Sequence, residues 1–305
     1  MGKLAFVFSG QGSQYTGMGR ELTEVSSAAK AVFDAADSVR PGTSAMCFEG
    51  TKEELSLTVN TQPCMYCVDL AAAEALKEAG VTADCVAGFS LGEIPAIAFA
   101  GMLTAAEGFR LVSLRGEYMT DAAQAEGGGM AACVKLSNEV VEEIAAKYEK
   151  MYPVNYNCPG QLVVAGSKEE LPAFSADIKA AGGRAIPLAV SGAFHSPFMA
   201  KAAERLYADM EKMDFAEPNM TVYSNYTAKP YEGSPAQLLR EQIQNPVQWQ
   251  RIVEDMIENG VDTFVEVGPG KTLSGLIAKI NPDVKVFNVE NKETLEAAIA
   301  SIKGE

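Results

Sequence analysis

Short apolar runs alternate along this chain with longer segments in which apolar residues recur at helical spacing. Strands are predicted at residues 3–8, 84–88, 221–224 and 263–267. Helices are predicted at residues 19–39, 63–79, 91–100, 104–124, 197–213 and 247–259, and from residue 294 onward. Alternating strands and helices indicate an α/β fold whose parallel sheet is covered on both faces.

The pattern changes between a glycine run at 127–129 and Ser191-Gly192. The elements predicted in this interval are a strand at 131–136, a helix at 137–150, strands at 153–156 and 162–165, a helix at 168–181 and a strand at 184–188. This order, βαββαβ, is that of a ferredoxin-like unit. We therefore expect a small subdomain at 128–190, inserted into a larger catalytic domain formed by 1–127 and 191–305.

Composition narrows the possible functions. The 305 residues carry a net charge of −15, which repels nucleic acid and anionic membranes. No apolar run approaches the roughly 20 residues of a membrane helix. The N-terminus lacks the features of a signal peptide, so a cytoplasmic protein is expected.

Six cysteines include one Cys-x-x-Cys pair, Cys64 and Cys67. The pair stands alone in a chain with a single histidine, so neither a zinc site nor any other metal site is expected. The pair opens an apolar helix, where small buried cysteines are common. A redox role is the alternative.

Ser90 lies in a Gly88-Phe89-Ser90-Leu91-Gly92 turn between a predicted strand and a predicted helix. The glycines permit a sharp turn that exposes the hydroxyl, and the helix N-terminus favours a developing oxyanion. A serine nucleophile needs a base. His195 supplies the only imidazole of the chain, although a lone histidine is more often a packed residue without a chemical role.

Arg115 shares a helix face with Leu111 and Met119. A guanidinium in an apolar row must reach water or find an anion, and beside a nucleophile it could bind a substrate carboxylate. Two glycine loops, at 10–14 and 268–272, resemble nucleotide-binding motifs. Both lack a required glycine, because Tyr15 and Val265 stand at those positions.

Six motifs occur in order. They are Gly10-Gln11-Gly12-Ser13-Gln14, Gly88-x-Ser90-Leu91-Gly92-Glu93, Leu114-Arg115-Gly116, Gly192-Ala193-Phe194-His195-Ser196, Asn245-Pro246-Val247-Gln248-Trp249 and Glu266-Val267-Gly268-Pro269-Gly270-Lys271. Together they resemble the malonyl-CoA:acyl carrier protein transacylases of bacterial fatty acid synthesis, over about residues 4–280. The resemblance implies an α/β-hydrolase-like domain that carries an inserted ferredoxin-like subdomain.

The resemblance also implies roles for residues. Ser90 would carry the malonyl ester and His195 would act as general base and then acid. Backbone N–H groups of Gln11 and Leu91 would form the oxyanion hole, and Arg115 would bind the malonyl carboxylate. Main-chain carbonyls around Gln248, in place of an acidic residue, would orient the imidazole.

Three further residues concern the acyl group. Phe194 would crowd an α-methyl and so favour malonyl over methylmalonyl, and Met119 is a further candidate for substrate binding. Phe89 departs from the family, which usually has histidine before the nucleophile. We expect it to alter packing more than chemistry.

The implied reaction transfers malonyl from malonyl-CoA to the phosphopantetheine thiol of acyl carrier protein, without a metal or other cofactor. Because carrier proteins are acidic, docking needs a local basic patch, for which Lys150, Arg184 and Lys271 are candidates. The alternatives are a serine esterase or thioesterase of the α/β-hydrolase class, an acyltransferase acting in trans in polyketide synthesis, and a non-catalytic acyl-binding subunit.

Overall fold

The computed structural model describes residues 2–304. The strands are β1 (Lys3–Phe8), β2 (Cys85–Gly88), β3 (Gly129–Val134), β4 (Met151–Cys158), β5 (Gln161–Gly166), β6 (Arg184–Pro187), β7 (Thr221–Tyr223), β8 (Val261–Val267) and β9 (Lys285–Val289). The helices are α1 (Arg20–Val25), α2 (Ser27–Val39), α3 (Thr43–Glu49), α4 (Lys52–Leu55), α5 (Thr58–Glu78), α6 (Glu93–Phe99), α7 (Ala105–Glu126), α8 (Asn138–Ala145), α9 (Leu171–Ala180), α10 (Ala200–Met210), α11 (Pro235–Gln244), α12 (Trp249–Glu258), α13 (Thr272–Ile280) and α14 (Lys292–Lys303). Two short 3₁₀ turns are formed by Ser90–Gly92 and Pro197–Met199.

Five strands form a parallel sheet in the order β7-β2-β1-β8-β9. Successive residues of β1 point to opposite faces, so Phe6 and Phe8 join the core that contains α2, α5 and α7, whereas Ala5 and Val7 join the core that contains α12 and α13. Both faces are therefore buried, which explains why β1 is continuously apolar. The predicted α/β fold with a parallel sheet is confirmed.

A separate antiparallel sheet has the strand order β4-β5-β3-β6. Its elements follow one another as β3, α8, β4, β5, α9 and β6, and side chains of α8 and α9 close a small core over one face of this sheet. Val247, between α11 and α12, joins it to the rest of the molecule. The Val247 N–H donates to Val154 at 2.8 Å, and its carbonyl accepts from the Tyr156 N–H at 3.0 Å.

Two helices differ from their predicted bounds for identifiable reasons. The helix expected at 19–39 is two helices, because Ser26 is extended and its hydroxyl caps α2 by accepting from the Ala29 N–H at 3.0 Å. The helix expected from Pro63 begins at Thr58. Pro63 has no N–H for the Val59 carbonyl, and Arg40 donates to that carbonyl at 3.1 Å instead.

Five elements had no counterpart in the sequence prediction: α3, α4, α11, α13 and β9. The start of α11 carries a recognisable signal. Ser234 caps it by accepting from the Gln237 N–H at 3.3 Å, and Pro235 occupies the first helical position. No helix within residues 2–304 is long and apolar enough to cross a bilayer.

Candidate active site

The parallel strands bring several loops to one edge of the sheet. The carboxyl ends of parallel strands meet at the same edge, which is where α/β proteins commonly bind ligands. Gln11 follows β1, Ser90 follows β2 and Asn225 follows β7, and these strands are neighbours in the order β7-β2-β1.

The turn between β2 and α6 exposes Ser90. A Cβ atom on Gly88 would overlap the backbone of Gly92, and a Cβ on Gly92 would overlap the carbonyls of Phe8 and Ser9. Only glycine fits at either position. Ser90 itself has φ 53°, a left-handed conformation that side chains other than glycine rarely adopt.

The hydroxyl of Ser90 lies against the imidazole of His195, with Oγ 2.6 Å from Nε2. On the other side of the ring, Nδ1 lies 2.8 Å from the carbonyl oxygen of Gln242. A carbonyl only accepts, so Nδ1 carries the proton and Nε2 is free to accept from Ser90. This is the tautomer that a general base needs.

His195 is 3% exposed. Burial, and then the positive charge of Arg115, lower its pKa to about 3, so the imidazole is neutral at physiological pH. The expected orienting contact at Gln248 is corrected by this geometry. Gln242 accepts from the ring, because α11 ends beside it, while the Gln248 N–H donates to the Asn225 carbonyl at 3.0 Å.

Arg115 projects from α7 into the same site and is 1% exposed. One terminal nitrogen donates to Gln62 Oε1 at 2.8 Å, and the other donates to Gln242 Oε1 at 3.0 Å and to Ser90 Oγ at 3.1 Å. Burial lowers its pKa to about 10, which leaves it charged at neutral pH, and Glu93 opposes the effect. The buried arginine has therefore found amide oxygens rather than water.

A second layer of buried polar groups lies behind Ser90. The Ser90 N–H donates to Asn225 Oδ1 at 2.7 Å, and Gln242 Nε2 donates to the Ser90 carbonyl at 2.7 Å. Glu93, which is fully buried, accepts from both Asn225 and Gln242. Burial raises the pKa of Glu93 to about 7.

A cleft opens in front of Ser90. Its lining includes all the predicted site residues except Gln248, namely Ser90, His195, Gln11, Leu91, Arg115, Met119 and Phe194. The Met119 sulfur also accepts from Gln62 Nε2 at 3.4 Å. Within residues 2–304, no cluster of three or more His, Cys, Asp and Glu side chains is arranged to hold a metal ion.

A second groove adjoins this cleft and shares Gln11, Phe89, Asn155 and Leu188 with it. It continues along β4 past Asn157. The side-chain oxygens of Asn155 and Asn157 are buried without a hydrogen-bond partner in the described residues. Buried amide oxygens of this kind favour a ligand with N–H donors.

A family model described as an acyl transferase domain matches residues 5–289. The chain belongs to the acyl transferase family. A malonyl CoA-acyl carrier protein transacylase of Bacillus subtilis is 41% identical over 313 residues, covering 100% of this chain and 99% of the relative. The resemblance drawn from the six motifs is confirmed.

Solved structures are similar to this acyl transferase over its whole length. A malonyl CoA-acyl carrier protein transacylase from Clostridium perfringens superposes with a TM-score of 0.95 at 37% identity, covering 99% of this chain and 98% of the other. A malonyl-transacylase in complex with its type II PKS acyl-carrier protein gives a TM-score of 0.94 at 34% identity, covering 98% and 99%.

Phe89, the residue that departs from the family pattern, packs edge-to-face on Trp249 with ring centroids 5.5 Å apart. Its ring also borders both the cleft and the groove. In this acyl transferase the position before the nucleophile therefore contributes to the core beneath the parallel sheet and to the wall between the two openings.

Sequence reasoning missed three side chains of this acyl transferase site: Gln62, Asn225 and Gln242. Gln242 lies on α11, which was not predicted, although Ser234-Pro235 signals the start of that helix. Gln62 lies one residue before the predicted start of its helix. Asn225 follows the short strand β7, and no local signal distinguishes it from a loop asparagine.

Proposed function

We propose that this chain transfers a malonyl group from malonyl-CoA to the phosphopantetheine thiol of an acyl carrier protein, through an ester on Ser90. One observation carries the proposal: Ser90 Oγ lies 2.6 Å from His195 Nε2 and 3.1 Å from the guanidinium of Arg115. A nucleophile, its base and a carboxylate-binding cation thus share one cleft. The names of the whole-length relatives support the same activity.

In the first half-reaction, His195 Nε2 takes the Ser90 proton while Oγ attacks the malonyl thioester. The Oγ–C bond forms, the C–S bond breaks, and CoA leaves as the thiol with the proton from His195. In the second half, His195 takes the proton of the phosphopantetheine thiol and that sulfur attacks the ester. Ser90 then regains its proton and malonyl carrier protein is released.

The tetrahedral intermediates need N–H donors. We assign these to Gln11 and Leu91, which flank Ser90 in the cleft. The Ser90 N–H already donates to Asn225, so it does not serve this purpose. Leu91 lies in the 3₁₀ turn at the start of α6, where N–H groups point outward from the helix end.

We assign acyl selection to Arg115, with Met119 and Phe194 as apolar walls. The Nε atom of Arg115 is buried without a partner in the described residues. A malonyl carboxylate could accept from Nε and the adjacent terminal nitrogen together. A neutral acyl group offers the guanidinium nothing in exchange for the desolvation of its binding site.

The second groove is the proposed path of the pantetheine arm, whose amide N–H groups match the unpaired oxygens of Asn155 and Asn157. The carrier protein would dock where this groove reaches the surface. Lys150, Arg184 and Lys271 are exposed and remain candidates for contact with an acidic carrier.

We further infer a larger catalytic domain, α/β-hydrolase-like, formed by 1–127 and 191–305, and a ferredoxin-like subdomain at 128–190. The βαββαβ order, the β4-β5-β3-β6 sheet and its separate core support this division. A cytoplasmic location stays a prediction.

The test is the intact mass of the protein after brief exposure to malonyl-CoA, with acetyl-CoA in parallel. We expect one malonyl adduct on wild type and none on Ser90→Ala. Adding phosphopantetheinylated carrier protein should remove the adduct and yield malonyl carrier protein. An adduct lost to water equally fast with and without carrier would indicate a hydrolase, and no adduct would indicate a binding protein.

A further inference from the structure

Glu93 is a buried carboxylate that the proposed chemistry does not use. It is the first residue of α6 and is 0% exposed. Its Oε2 atom accepts from the Asn225 N–H at 3.0 Å and from Gln242 Nε2 at 2.9 Å, and its Oε1 atom accepts from the Tyr231 hydroxyl at 2.5 Å. Both carboxylate oxygens are therefore used within the protein.

The two groups on Oε2 lead to the backbone around Ser90. Asn225 accepts from the Ser90 N–H at 2.7 Å and donates to the Gly88 carbonyl at 2.6 Å. Gln242 donates to the Ser90 carbonyl at 2.7 Å. One carboxylate oxygen thus anchors the amides that hold both backbone polar groups of the nucleophile.

Gln242 also connects Oε2 to the base. Its side chain is held by Glu93, and its backbone carbonyl accepts from His195 Nδ1 at 2.8 Å. Ser90 and His195 both have left-handed backbones, at φ 53° and 59°. Such conformations persist only where surrounding contacts hold them.

We propose that Glu93 is a positioning residue, which aligns Ser90 and His195 through the reach of Oε2 rather than through its charge. This inference rests on the proposed function of the same site. All groups bonded to Oε2 are neutral amides. A proton on Oε1, toward the Tyr231 hydroxyl, leaves the acceptor capacity of Oε2 in place.

Two substitutions separate reach from charge. Glu93→Gln keeps the side-chain length, so that its carbonyl oxygen can replace Oε2 while its NH₂ group faces the Tyr231 oxygen. Glu93→Asp keeps the charge but withdraws the carboxylate by one methylene. Each variant is compared with wild type by rapid-quench acylation with malonyl-CoA and acetyl-CoA, with rates expressed per folded protein from thermal unfolding.

We expect Glu93→Asp to slow Ser90 acylation by about 100-fold, the scale of a 1 Å misplacement of a catalytic group. The factor should be the same for both donors, and the half-saturating donor concentration should change little. Glu93→Gln should stay within about threefold of wild type, because the hydrogen bonds that position Ser90 remain.

Three results would overturn the inference. They are a Glu93→Gln rate as low as that of Glu93→Asp, a Glu93→Asp rate within about threefold of wild type, or a loss confined to malonyl-CoA, which would assign Glu93 to Arg115. If Glu93→Asp does not fold, Asn225→Ala tests the same connection and should slow both donors equally. An unchanged Asn225→Ala rate would overturn the inference as well. A wild type without a malonyl adduct would instead reject the proposed function.

Discussion

Ser90 and His195, joined by a hydrogen bond of 2.6 Å, both have left-handed backbone conformations. A left-handed residue costs roughly 1–2 kcal/mol unless it is glycine. The catalytic pair is therefore formed at the expense of backbone strain at both of its members. The buried amides of Asn225 and Gln242, which bond to the Ser90 backbone, offset part of that strain.

This strain predicts that Ser90→Gly is more stable than Ser90→Ala. Both variants lack the hydroxyl, so they differ only in Cβ. Relief of about 1–2 kcal/mol, less the roughly 0.5–1 kcal/mol entropic penalty of glycine, gives an advantage of about 0.5–1 kcal/mol. Urea unfolding measures the difference. Ser113, within α7, is the matched control, and there alanine should be the more stable substitution.

Arg115 should separate malonyl from neutral acyl groups. Replacing it with methionine keeps much of the apolar stem but removes every donor. We expect acylation by malonyl-CoA to fall by about 1,000-fold, the equivalent of roughly 4 kcal/mol for a buried charge pair. Acylation by acetyl-CoA should fall by no more than about tenfold, because only the hydrogen bond to Ser90 Oγ is lost.

Rapid quench followed by intact mass measures both acylation rates. Arg115→Lys serves as the comparison, since it keeps the charge but loses the paired donors, and its malonyl rate should be intermediate. An equal loss for malonyl and acetyl would contradict selection by Arg115. It would leave Arg115 as a donor to the nucleophile alone.

The buried imidazole predicts an unusual pH dependence. The pKa of His195 is lowered from 6.5 to about 3, so the base stays neutral until the pH falls toward 3. Acylation should change less than about twofold between about pH 5 and pH 8, whereas an ordinary histidine would lose most of its activity over the acid half of that range. An inflection near pH 6.5 would show that His195 titrates as if exposed.

The same shift makes folding stability depend on pH. Below pH 6.5 the unfolded chain binds a proton at His195 that the folded protein refuses, so the stability contributed by this group is present above 6.5 and is lost as the pH falls toward 3. Relative to His195→Gln, wild type should lose about 1.4 kcal/mol per pH unit over this interval. Urea unfolding at several pH values compares the two proteins.

Phe89→His should be tolerated. The ring at this position packs edge-to-face on Trp249, and no hydrogen bond links it to Ser90 or His195 in the described residues. Loss of the aromatic pair should cost roughly 1 kcal/mol of stability. The ratio of malonyl to acetyl acylation should stay within about twofold of wild type, as the polar contacts of Arg115 are untouched. A large change in that ratio would show that Phe89 shapes the acyl cleft.

The sequence predicted those parts of the site that local patterns specify. Ser90 follows from a glycine-bounded turn, and Arg115 from a charge in an apolar helical row. Gln242 was missed because its role depends on where α11 ends in space, and its carbonyl rather than its side chain contacts His195. Asn225 likewise acts across 135 residues of sequence. Contacts of that range depend on tertiary packing and leave no local pattern.

The fold shows the same division. Continuous apolar runs predicted β1, β2 and β8 because both sheet faces are buried. β9 lies at the sheet edge and is mostly half-buried, so its pattern is weaker. The helix expected at 19–39 was divided by a side-chain cap at Ser26, which periodicity alone does not detect.

The backbone of Val247 has a mechanical consequence. It bonds to Val154 and Tyr156 of the antiparallel sheet, while its neighbour Gln248 bonds to Asn225, which holds Ser90. The four-stranded sheet therefore cannot swing outward without pulling on the support of the nucleophile. Widening of the cleft and loss of catalytic alignment become a single motion, so an acyl-enzyme that opens to admit or release a large partner is less reactive toward water while it is open.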